Sequence, residues 1–132
     1  MMRRFAYVVG ACLVGLGLAG VLRSETKVTW TGWFSDASCS AARATSGILT
    51  ATNPDCAKRC IEKGEAPVFI SEQAKAIFKI KDYPKVIDDL GYHVEVTATV
   101  DEAAKTISVR DVKRLSYEGA ACGRPKKTSN KQ

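Results

Sequence analysis

Histidine is almost missing from this chain: His93 is the only one among 132 residues. A Ser-His-Asp or Cys-His centre would have to use it, and no nucleophile stands near it in sequence. No glycine-rich phosphate loop is present. The closest cysteine spacing is C-x3-C (Cys56, Cys60) rather than C-x2-C, which lacks the usual dithiol redox motif, and the absence of Cys-x-x-Cys-His removes covalent c-type haem. There is no internal repeat. An excess of one charge is also missing once the chain is divided. The net charge is +6, but three basic residues (Arg3, Arg4, Arg23) precede the body and four (Arg124, Lys126, Lys127, Lys131) follow Cys122. The body keeps thirteen basic residues against all fourteen acidic ones. It lacks the electrostatic footprint of a nucleic-acid binder.

What is present begins with an address. Met1-Met2-Arg3-Arg4 leads into an uncharged run from Phe5 to Leu22 and then Arg23. A basic start and an apolar stretch describe an export signal. The run is long for a signal core and just long enough for a span, so the alternative is an inner-membrane anchor over residues 5–22. Gly10, Gly15, Gly17 and Gly20 weaken a helix and favour the cleaved form. Gly17 with Ala19, or Ser24, offers the cleavage frame. Val9-Gly10-Ala11-Cys12 loosely resembles a lipid-attachment box. The expected organisation is a leader over 1–24, one domain over 25–122 and a disordered basic tail over 123–132. The expected location is periplasmic or secreted.

With Cys12 gone, four cysteines remain: Cys39, Cys56, Cys60 and Cys122. An even count in a small exported domain reads as two disulfides. Asn53-Pro54-Asp55 followed by Cys56 to Lys63 and Gly64 predicts a short helix, capped by Asn53, with Pro54 in its first turn and Gly64 closing it. Cys56 and Cys60 then stand at i and i+4, about 6 Å apart at Cβ. A disulfide needs roughly 3.5–4.5 Å. Each is therefore expected to reach outward, one to Cys39 and one to Cys122, with the pairing open. Two alternatives use the same residues: a Zn2+ site on all four, or thiol redox chemistry. No cofactor is expected.

Lys27 to Ser35 reads as a strand. A bulge at Gly32 is expected to bring Trp30 and Trp33 to one side. Residues 36–53 have no clear period and read as a loop held at Cys39, with Asp36 capping the turn out of the strand. Further strands are expected over Ala66–Ser71, Ala76–Lys81, His93–Val100 and Thr106–Leu115. Two helical turns are expected over Tyr83–Leu90, and hairpin turns over Glu72–Lys75 and Asp101–Lys105. Val112 breaks alternation, so the last strand bends or bulges there. The fold class is mainly β with short helices: a five-stranded, OB-fold-like small barrel with a cysteine-bearing helical insertion between strands one and two.

Trp33-Phe34-Ser35-Asp36-Ala37-Ser38-Cys39, then Cys56 to Gly64 leading into Pro67-Val68-Phe69-Ile70, resembles a family of small exported bacterial proteins with S-D-x-x-C and C-x3-C-x3-G segments. The resemblance covers Thr31 to Leu115. It implies export and an OB-like fold and carries no catalytic residue. Members often have a histidine soon after the first cysteine; this chain has none there.

On an OB-like fold the ligand face lies on strands two and three. The candidate face is Trp33, Ile77, Lys79, Lys81 and Tyr92, while Trp30, Phe69 and Phe78 are expected in the core. The sequence thus describes a non-enzymatic binding or structural domain of the cell envelope, with an envelope protein, glycan or small ligand as partner.

Overall fold

The computed structural model describes residues 24–117. The leader, Cys12, Cys122 and the basic tail lie outside these residues. The order is β1 (Thr26–Asp36), α1 (Ala37–Ala44), α2 (Pro54–Glu62), β2 (Pro67–Ser71), β3 (Ala76–Asp82), a 3-10 turn (Val86–Asp89), β4 (Tyr92–Asp101) and β5 (Thr106–Tyr117). The domain is mainly β, a five-stranded sheet with two short helices. No helix among the described residues is long and apolar enough to cross a membrane.

β1 organises the sheet. Thr26 to Gly32 pairs with β4 and Gly32 to Asp36 pairs with β2, both antiparallel. The expected bulge at Gly32 does not occur, because neither pairing shifts register there. Alternation simply continues. Val28, Trp30 and Phe34 belong to the interior cluster, while Trp33 belongs to a separate one. The two tryptophans therefore face opposite sides, correcting the expectation that they share one. Gly32 is required by crowding: a Cβ there would lie 1.9 Å from the Ile70 carbonyl oxygen and 2.9 Å from the Phe69 ring. A strand that changes partner at one residue bends hard, and only a residue without a side chain fits the inside of the bend.

β2 pairs with β3, β3 runs parallel to β5, and β5 pairs antiparallel with β4, so the pairings close into a ring. Register then sorts the side chains into rows. Phe34, Phe69 and Phe78 are directly opposite one another on the inside. Trp33, Ile70 and Ile77 form the matching row on the outside. Burying each large apolar side chain contributes roughly 1.5–3 kcal/mol. Ala57 and Ile61 of α2, with Val86 and Leu90, pack against the interior cluster.

The two hairpins β2–β3 and β4–β5 turn by one design. Ser71 Oγ accepts from Ala74 N–H (3.1 Å), and Asp101 Oδ1 accepts from Ala104 N–H (2.9 Å). Each turn ends on a lysine with positive φ, Lys75 at 48° and Lys105 at 52°. Tyr83 to Leu90 forms one short 3-10 turn and not two helical turns; Pro84 offers no N–H, and Lys85 at its start makes no side-chain cap. The irregularity of β5 is real: register shifts where Thr97 faces Asp111 and Ala98 faces Val109. Arg110 is the extra residue, which puts Val109 and Val112 on one side.

Candidate functional site

The connection between β1 and β2 carries the features that packing alone does not explain. Residues 36–44 are not a loop: α1 spans Ala37–Ala44. The alanines and serines that hid any apolar period are compatible with a helix, and Asp36 caps it, its Oδ2 accepting from Cys39 N–H at 3.0 Å. α2 starts as the sequence predicts, Asn53 Oδ1 accepting from Cys56 N–H at 3.0 Å with Pro54 in the first turn. Gly64 follows with φ at 102°. Ala37 N–H donates to Ala66 O (2.9 Å), fixing the start of α1 beside the entry to β2.

This arrangement brings Cys39 of α1 and Cys60 of α2 to Asp36 at the end of β1. The two sulfurs and one Asp36 carboxylate oxygen all lie within 4.8 Å of one another. Cys39 and Cys60 are thiols without a bond between them. Asp36 is fully buried, and its Oδ1 has no hydrogen-bond partner among the described residues. Burial pushes the Cys39 thiol up to about 11, assisted by the neighbouring Asp36 carboxylate and the Cys60 thiol. Such a thiol is a poor nucleophile at neutral pH. Cys56 stands one turn before Cys60, accepts from Arg59 Nη2 (3.4 Å) and is not part of the trio.

Among the described residues, the buried side-chain polar atoms without a partner are Trp33 Nε1, Asp36 Oδ1, Ser40 Oγ and Arg43 Nε. They fall within one stretch, from the outer row to α1. Each such atom costs on the order of 1–3 kcal/mol, so their concentration marks this region as different from the rest.

The sequence-derived ligand face is dispersed. Trp33 is buried beneath Leu49 and Ala51 of the insertion and stacks on His93, with ring centroids 4.9 Å apart. Thr52, also in the insertion, hydrogen-bonds Ser35 of β1. Ile77 is half-buried in the same outer cluster. Lys79 and Lys81 are exposed, and Lys81 lies 3.9 Å from Glu25. Tyr92 is elsewhere, between the Arg114 guanidinium (4.4 Å to the ring centroid) and the edge of Tyr117. His93 is bound to Glu72 at 2.7 Å, and Thr31 donates to the same carboxylate. Burial raises the Glu72 carboxyl, but the bonds from Thr31 and His93 outweigh it and hold the group below its ordinary value. The carboxylate here bridges hydroxyl and imidazole, so the imidazole does not face the hydroxyl as a general base.

An open hollow of about 510 Å3 lies between Tyr83, Lys85, Asp88, Asp89, Val112 and Arg114. Its buried acid is fully engaged: Asp89 accepts from Tyr83 and from Arg114 Nε (2.7 Å).

Sequence reasoning placed Asp36 correctly as a cap and missed it as a third donor. The signal was present in Asp36-Ala37-Ser38-Cys39, since a cap and the third residue of its helix are held together by the capping bond. No family model, curated protein or solved structure matches the chain.

Proposed function

We propose that this chain is an exported, non-enzymatic binding module on an OB-type barrel, and that the helical insertion is its binding element. The strand order, the helical turn between the third and fourth strands and a bent first strand support the OB reading. The leader and the resemblance to the small exported family support export. The observation that carries the binding reading is that, among the described residues, the orphaned buried polar atoms all fall within residues 33–43. On the usual OB ligand face, Trp33, Ile70 and Ile77 are instead occupied by the chain's own Leu49 and Ala51.

A second reading is a purely structural insertion, stapled by Cys39–Cys60 and Cys56–Cys122. It is favoured by the meeting of Cys39 and Cys60 from separate helices.

The test is cell fractionation followed by intact-mass measurement of the exported protein, alkylated without reductant. A chain lacking its leader, with Cys39 and Cys60 not joined by a disulfide, is the expected result. A mass four hydrogens light with no label gives the stapled reading, and a cytoplasmic full-length chain removes export.

A further inference from the structure

We infer that Asp36, Cys39 and Cys60 form a binding site for one borderline-soft divalent cation of the Zn2+ class. This names the ligand class of the binding element proposed above and rests on that reading. Tetrahedral zinc with sulfur at about 2.3 Å and oxygen at about 2.0–2.2 Å places its donors on the order of 3.5–3.8 Å apart. Donors already within 4.8 Å reach that spacing by rotamer adjustment.

The carboxylate decides between cation and staple. A Cys39–Cys60 disulfide would consume both thiols and leave a fully buried Asp36 with one oxygen still unpartnered. A divalent cation satisfies all three groups together. It also decides the metal, since monovalent copper would be content with the sulfurs, whereas a mixed thiolate and carboxylate set suits Zn2+. Binding breaks two S–H bonds and forms two metal–sulfur bonds. Two protons go to solvent, and the 2+ ion meets three negative donors. Asp36 does this while capping α1 through Oδ2, so one side chain sets both the helix and the donor geometry. Three protein donors leave the fourth tetrahedral position open.

The experiment titrates Co2+, then Zn2+, into the exported protein after reduction and metal removal. One equivalent of cobalt is expected to give visible tetrahedral bands and a near-ultraviolet thiolate band of two-sulfur intensity, both lost when zinc is added. C39S and C60S should each lose at least half of the thiolate band, and C56S should leave it unchanged. D36N retains a good capping residue and should keep the sulfur band while weakening cobalt by at least about 10–100-fold, the loss seen even for outer-shell partners. Far-UV circular dichroism confirms that each variant is folded. The inference is overturned by a folded protein without a thiolate band, by D36N binding with undiminished affinity, or by loss of a third of the band in C56S. An exported, folded chain that ignores cobalt removes the cation site alone. A chain that binds cobalt but is not exported removes the export reading alone.

Discussion

Two rows of side chains cross the same three strands, one residue out of step. The inner row, Phe34, Phe69 and Phe78, carries no polar atom and packs with aliphatic residues of β1, β3, β4 and β5. The outer row, Trp33, Ile70 and the half-buried Ile77, is covered by Leu49 and Ala51 of the insertion, with His93 stacked on Trp33. Its tryptophan carries an N–H with no partner among the described residues, and three more such atoms follow within ten residues. The inner row is a solution to packing alone. The outer row and its insertion accept a standing cost, and a standing cost is retained where something else is gained.

The comparison is broken most directly at the bend. Gly32→Val should be the most damaging single change, because a side chain must displace the Ile70 backbone; failure to fold, or a loss of more than about 3 kcal/mol in urea unfolding, is expected. Phe69→Ala should cost about 3–5 kcal/mol and leave cobalt affinity per folded molecule unchanged. On the outer side, Asp36→Ala should cost about 1 kcal/mol through the lost cap together with the cation site, whereas Asp36→Asn should lose only the latter. If both changes destabilise equally, the carboxylate matters to folding and the contrast between the rows collapses. Trp33→Phe should cost less than about 1 kcal/mol, since it removes an orphaned N–H along with some contact area.

The smallest effect is one of pH. Glu72 is held below its ordinary value near 4.5. Its contribution is therefore complete above that value and is lost as pH falls through the depressed one. The wild-type melting temperature should drop below about pH 4.5 more steeply than that of Glu72→Gln. Equal slopes would show that the Thr31–Glu72–His93 contact contributes nothing to folding.

The strands were legible because alternation in β4 and β3 is a local signal, and α2 because Asn53, Pro54 and Gly64 punctuate it. α1 was not, because Ala and Ser carry no periodic contrast and its stability depends on one cap. The side taken by Trp33 was misread because a glycine in a strand signals a bulge or a close approach equally well; only the Ile70 carbonyl and the Phe69 ring decide between them. The trio was hidden for a different reason: Cys60 reaches Asp36 through tertiary packing across more than twenty residues.

The change of partner at Gly32 also sets a timetable. The half of β1 before Gly32 pairs only with β4, and Thr26 meets Val100 near the far end of the chain. The hairpins β2–β3 and β4–β5 close locally through their twin turns, but that half of β1 must wait until most of the chain has been made. During the wait it is an unpaired edge carrying Val28 and Trp30, open to the wrong neighbour. The residue that lets the sheet close on itself thus makes its first strand the last to be safe.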